Sequence, residues 1–108
     1  MPRELRRIVF DNSEIQRAFN MMTSKDLPKF TEGEIIAFEA TEDDPGKVRI
    51  EYQNYNRDER SSCELSIANL GAVLVNYCLK THIVLARNAR KTVKIADNMV
   101  ALQLSIDT

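Results

Sequence analysis

The chain has few of the residues on which catalytic sites and tight backbone turns most often depend. Its 108 residues include three glycines, three prolines, two cysteines, one histidine and no tryptophan. Three glycines leave little room for a glycine-rich phosphate-binding loop. Cys63 and Cys78 lack the spacing of a zinc motif, and two cysteines do not make a disulfide-stabilised scaffold.

Neither sign of charge dominates the sequence, and long hydrophobic runs are absent. Fifteen Lys and Arg residues nearly balance 16 Asp and Glu residues, so the net charge is −1 and the pI is about 5.8. Nothing therefore draws the whole molecule to nucleic acid or to an acidic membrane. No apolar run reaches the roughly 18 residues of a membrane span, and the N-terminus has no secretory hydrophobic region.

The hydrophobic content is nevertheless ordinary for a folded protein. At 44% of the residues it is enough for a real core without disulfides or a metal. We therefore expect a single domain over residues 1–108. Because the sequence lacks an apolar run of membrane-spanning length and a secretory hydrophobic region, we expect this domain in the cytoplasm and without membrane contact.

The first elements are a strand and a short helix. Residues 5–10 are apolar and β-branched enough for a strand. Asp11, Asn12 and Ser13 then offer three N-caps for a helix, whose apolar residues recur at helical spacing over residues 13–23.

A hairpin and an ambiguous boundary follow. Residues 34–41 and 47–54 predict two strands joined at Asp43-Asp44-Pro45-Gly46, and a polar loop runs over residues 54–60. Residues 61–64 fit a capping box for a long helix, whereas residues 63–65 alternate well enough for a short strand with Ser66 as the helix cap. The strand is the interpretation we favour.

The C-terminal pattern is the clearest in the chain. If Asp97-Asn98 forms a two-residue loop, Ile95 pairs with Val100 and Val93 pairs with Leu102, so that all four side chains share one face. The turn and the hydrophobic alternation therefore demand the same register.

Together these elements predict an α+β domain. The expected order is β-α-β-β-β-α-β-β, and it forms an antiparallel sheet of about five to six strands with two helices packed on one face.

The long helix over residues 66–80 carries more apolar surface than one sheet face can cover. Its polar side chains fall on one narrow stripe, and apolar residues occupy most of the remaining circumference. We expect a patch around Ala72, Val75 and Leu79 to stay exposed and to form the interface of a homodimer.

No constellation of residues indicates catalysis, a metal site or a cofactor. The acidic turn at residues 42–44 lacks the ligand spacing of an EF-hand. Cys63, Cys78 and His82 are too few for a tetrahedral metal site. A Cys78–His82 nucleophile pair would require an exposed thiol, but Cys78 lies on the apolar side of its helix. We therefore expect no enzymatic activity.

Basic residues cluster between the long helix and the final hairpin. Arg87, Arg90, Lys91 and Lys94 are the candidates for binding an anion or a partner. A looser set of arginines near Tyr52 and Tyr55 could stack single-stranded nucleic acid, but a pI below 6 weighs against it. The sequence therefore favours a small non-catalytic protein-interaction or regulatory module with an unidentified protein partner. The alternative is an anion- or nucleic-acid-binding protein that uses the Arg87–Lys94 segment.

Overall fold

A computed structural model describes residues 3–22, 27–28, 30, 33–40, 46–55, 60–96 and 99–107, with Arg3 and Asp107 described by their backbone alone. Its elements follow the predicted order of strands and helices. They are β1 (Arg3–Phe10), α1 (Asn12–Asn20), β2 (Gly33–Ala40), β3 (Lys47–Asn54), β4 (Arg60–Ser66), α2 (Ile67–Lys80), β5 (Arg90–Ala96) and β6 (Met99–Asp107).

The α+β class is confirmed, but the prediction of one continuous sheet is wrong. The strands form two three-stranded antiparallel sheets: a terminal sheet in the order β1-β6-β5 and a meander sheet in the order β2-β3-β4. No described strand of one sheet pairs with a strand of the other. In the terminal sheet, β1 pairs along its whole length with β6, so that residues 3–10 lie beside residues 99–107. The two helices contact each other, and α1 also contacts β2 while α2 contacts β5 and β4.

The C-terminal hairpin has the predicted register. Ile95 pairs with Val100 and Val93 pairs with Leu102. Val100 and Leu102 are almost completely buried, as expected for the inner face of this sheet. The predicted turn residues, Asp97 and Asn98, lie outside the described residues, as do Asp43, Asp44 and Pro45 of the other predicted turn.

The ambiguous boundary before the long helix is resolved in favour of the strand. Residues 60–66 form β4, which pairs with β3. Ser66 is the N-cap of α2, and its hydroxyl accepts a hydrogen bond from the backbone N–H of Asn69 at 3.0 Å. The alternative capping box at residues 61–64 is therefore wrong, because those residues are already extended and paired.

Helix α1 begins where the sequence predicted a cap. Asp11 accepts a hydrogen bond from the backbone N–H of Glu14 at 2.8 Å, and the Glu14 carboxylate accepts one from the Asp11 N–H at 3.1 Å. This capping box satisfies two N–H groups at the helix start. Because the Glu14 N–H stabilises the ionised carboxylate, it lowers the pKa of Asp11 below its ordinary value.

Three amide side chains on one side of α1 hydrogen-bond to the backbone beside it. Asn12, Gln16 and Asn20 recur at every fourth residue, and we call them the amide row. Gln16 Nε2 donates to the carbonyl oxygens of Phe30 and Gly33 at 2.6 and 2.7 Å, and its Oε1 accepts from the Ile35 N–H at 3.2 Å.

The other two members of the row extend the same contact in both directions. Asn12 Nδ2 donates to the Ile35 carbonyl oxygen at 3.2 Å, and Asn20 Oδ1 accepts from the Phe30 N–H at 3.0 Å. At Gly33 and Ile35, the side of β2 that faces away from β3 therefore bonds to helix side chains. Asn20 is also the last residue of α1, which ends before the predicted residue 23.

The hydrophobic core lies between the sheets and the helices, and α2 runs through it. Leu70, Val73, Leu74 and Cys78 of this helix are completely buried. They belong to the same cluster as the inward-facing residues of both sheets and of α1. Much of the apolar surface of α2, which is more than one sheet face can cover, is thus buried against other parts of the same chain.

We predict that Gln16→Ala destabilises the fold by about 2–4 kcal/mol. The change leaves several backbone groups near β2 without partners, and each such buried group costs about 1–3 kcal/mol. Chemical denaturation should show this loss, whereas Arg17→Ala on the exposed side of the same helix should change stability by less than about 0.5 kcal/mol. Equal midpoints for the two variants would contradict the structural role given to the amide row.

Candidate interaction surfaces

The side chains most often used in catalysis and metal binding do not form a reactive centre. Among the described residues, no three His, Cys, Asp or Glu side chains come together as a metal site. Cys63 and Cys78 are both free thiols. Cys78 is completely buried and Cys63 is half-buried, and burial raises the pKa of both thiols. A raised pKa lowers the thiolate fraction at neutral pH and so disfavours nucleophilic chemistry.

His82 has a structural position at the end of α2. It adopts a left-handed backbone conformation with φ of 63°. Its N–H donates to the Leu79 carbonyl oxygen at 3.4 Å, and the N–H of Ile83 donates to that of Cys78 at 2.8 Å. This is the hydrogen-bond pattern of a Schellman C-cap, in which the left-handed residue lies just beyond the helix. His82 therefore does not share a helix face with Cys78.

We predict that Cys78 resists labelling in the native protein. A thiol reagent at about pH 8 should modify it at least about a hundredfold more slowly than in urea, because labelling requires local unfolding. The Cys63→Ala variant isolates the Cys78 signal, and Cys78→Ala provides the converse control. Rapid labelling of native Cys78 would reopen the assignment of a nucleophile at this position.

The predicted dimer patch on α2 is partly exposed. Leu79 is 63% exposed and Ala72 is also exposed, whereas Val75 is half-buried. Val75 lines a groove of about 440 Å³ between α2 and β5, together with Gly71, Val93 and Lys91. The helix approaches the strand closely here, since a Cβ atom at Gly71 would lie 3.4 Å from Cγ2 of Val93.

The structure does not bring the four predicted basic residues together. Successive side chains of a strand point to opposite faces, so Arg90 and Lys94 share the outer face of β5 while Lys91 lies on the other. Lys91 borders the α2–β5 groove, and its Nζ donates to the Ala89 carbonyl oxygen at 3.3 Å. Arg87 lies in the connection before the strand.

Arg90 and Lys94 belong to a larger surface that also includes β1. In the register of the terminal sheet, Lys94 and Val9 both pair with Ala101, and Arg90 and Leu5 both pair with Ser105. Between these rows, Arg7 donates to Gln103 Oε1 at 3.1 Å. We call this outer surface the cationic face and define it by Leu5, Arg7, Val9, Arg90, Lys94 and Met99.

The cationic face combines exposed apolar side chains with positive charge. Leu5, Val9 and Met99 are 64%, 47% and 51% exposed. Every charged side chain described on this face is positive. Arg90 and Lys94 form no ion pair with any residue in the described part of the chain.

The outer face of the meander sheet is different in both respects. Arg49 lies between two carboxylates there, with Glu64 at 3.4 Å and Glu39 at 4.0 Å. None of the large apolar side chains found exposed in the described residues lies on β2, β3 or β4. The meander sheet therefore presents a polar outer face on which opposite charges pair. The charged side chains described on the outer face of the terminal sheet are all positive.

Sequence reasoning missed the contribution of β1 to this surface. The signal was present as an alternation in residues 5–10. Leu5, Arg7 and Val9 form one period-two set, whereas Ile8 and Phe10 belong to the set that faces the core. The hydrophobic content of the segment predicts a strand but does not by itself distinguish its outward-facing side chains from those that face the core.

Comparison with known proteins gives no further information about these surfaces. No protein-family model, no curated protein and no solved structure matches the chain. No helix within the described residues combines the length and the apolar character needed to cross a membrane.

Proposed function

We propose that the protein is a small non-catalytic interaction module that docks a partner protein on the cationic face. The observation that carries this proposal is that the side chains of Leu5, Val9 and Met99 are exposed on a face whose described charges are all positive. Val9 and Met99 line one hollow on this face, and adjoining exposed apolar surface on a small domain usually marks an interaction site. Methionine and arginine are also enriched in protein interfaces.

The shape of this surface supports the same interpretation. A hollow of about 400 Å³ lies on the face, and its lining includes Val9, Met99, Ala101 and the cations Arg7 and Lys94. Apolar contacts can form at its centre while charged groups at its border select the partner. Two free thiols fit the reducing environment of the cytoplasm, where we place the protein.

We predict that a partner captured from the source cell depends on this face. The double variant Val9→Ser/Met99→Ser should reduce its recovery about tenfold, because truncating side chains at an interface centre costs on the order of 1–2 kcal/mol. Tyr55→Ser is the matched control, since Tyr55 is 67% exposed on a different part of the chain. Recovery of the same proteins by all three forms would contradict the proposal.

Binding of an anion or a nucleic acid is the second candidate function. It is favoured by one observation, namely that Arg7 adds a third cation to Arg90 and Lys94 on one face. Stacking side chains would strengthen such binding, but no aromatic residue occupies a described position on the cationic face.

We predict only weak, strongly salt-dependent binding of single-stranded or duplex nucleic acid. Reversing the charges on the face, with Arg7, Arg90 and Lys94 changed to Glu, should abolish it. Changing Arg87 and Lys91 to Glu should have a smaller effect, because these two residues lie elsewhere. Tight binding near physiological salt would instead favour nucleic acid as the partner.

We also propose that two copies associate through α2 around Ala72, Val75 and Leu79. Light scattering at micromolar concentration should then give the mass of two chains, and Leu79→Glu should return it to one. Val84→Glu is the control, because Val84 is 78% exposed outside the helix. A one-chain mass that persists as the wild-type concentration rises would contradict the dimer.

A further inference from the structure

The β1 edge of the terminal sheet is not covered in the way that the β2 edge of the meander sheet is. The amide row hydrogen-bonds to the edge of β2 at Gly33 and Ile35. In contrast, β6 is the one described element that packs extensively against β1. No described residue hydrogen-bonds to the backbone on the other side of β1. An eight-residue strand thus presents a row of unpaired N–H and C=O groups.

We propose that an extended acidic segment of the partner adds to β1 as a fourth, antiparallel strand of the terminal sheet. This inference rests on the proposed function, because the added strand would continue the cationic face. Main-chain hydrogen bonds would supply affinity, and the alternating side chains of β1 would supply specificity.

The charges of β1 determine which strand fits. Arg7 points to the outer face between Leu5 and Val9. Arg6 lies on the other face beside Ile8, where its Nη1 donates to the Val84 carbonyl oxygen at 2.7 Å and leaves its other N–H donors for a partner. An antiparallel partner read from its N-terminus meets Val9 first and Leu5 last. Its complementary order is therefore apolar, apolar, acidic, acidic, apolar, with the two acidic residues opposite Arg7 and Arg6.

A second copy of the chain meets this requirement less well than an acidic strand does. Two-fold pairing about a perpendicular axis keeps outer residues opposite outer residues. Centred on Arg6 or on Arg7, it places that arginine opposite its own copy. Like charges directly opposite in a sheet are destabilising. An acidic strand converts the same contacts into attractive pairs.

A nucleic acid or an anionic membrane could contact the cations but could not satisfy the backbone of β1. Neither offers N–H and C=O groups at the spacing of a strand. A polypeptide therefore uses both features of this surface, the charge and the open edge, whereas the other two classes use only the charge.

Synthetic peptides test the proposal with the full-length protein. The probe peptide carries valine, valine, glutamate, glutamate, valine between soluble flanks, and a fluorescent label reports its binding. One control peptide has lysine in place of both glutamates. A second carries N-methyl groups on alternate residues, which removes hydrogen-bond donors while the charge is kept. Backbone amide exchange of β1 is measured with and without the probe.

The expected result is saturable binding of the probe together with slowed exchange in β1. The lysine and N-methyl peptides should bind at least about tenfold more weakly. Binding of the lysine peptide by the Arg6→Glu/Arg7→Glu variant would confirm the charge pairing by exchange of partners. Equal binding of the N-methyl peptide would overturn strand addition. No binding of any peptide, while partner capture still depends on Val9 and Met99, would overturn this inference but leave the proposed function standing.

Discussion

The exposed edges of the strands are the constraint from which the rest of this structure follows. Two three-stranded sheets have four edges, and each edge strand carries backbone groups that its own sheet does not pair. At β2 the solution is the amide row of α1, in which Gln16 uses both donors and its acceptor on the neighbouring backbone. That contact fixes the position of α1 against the meander sheet. Ile15 and Phe19 of α1 are completely buried in the core.

The same constraint distinguishes β1 from β2. Helix α1 lies beside β2 and bonds to its backbone, whereas no described helix does so at β1. The outward side chains of the open β1 edge are also apolar and cationic. Charged residues on an edge strand usually prevent self-association. Here Arg6 and Arg7 would disfavour a second copy of the same strand and, by the same electrostatics, favour an acidic one.

The sequence predicted the local elements well because their signals are local. The register of the final hairpin followed from the alternation around Ile95 and Val100, and the start of α2 followed from Ser66. The split into two sheets could not be predicted, because it depends on the pairing of β1 with β6 at the opposite end of the chain. No local pattern specifies which strand a distant strand joins.

The surfaces were predicted less completely than the elements, for two physical reasons. A cluster of basic residues in sequence is divided by the alternation of a strand, which separates Lys91 from Arg90 and Lys94. The amide row could not be recognised from the apolar periodicity that predicts α1, because that periodicity involves only the apolar residues of the helix. Asn12, Gln16 and Asn20 have the same spacing but are polar, and their role depends on backbone from a later part of the chain.

Native-state hydrogen exchange, measured residue by residue, tests most directly the claim that one edge is covered and the other is open. The account predicts slow exchange at the backbone N–H of Ile35 and of Phe30, because amide-row side chains accept from both. It predicts alternation along β1, where N–H groups directed towards β6 exchange slowly and those directed away exchange rapidly. Uniform protection along β1, or rapid exchange at Ile35, would contradict it.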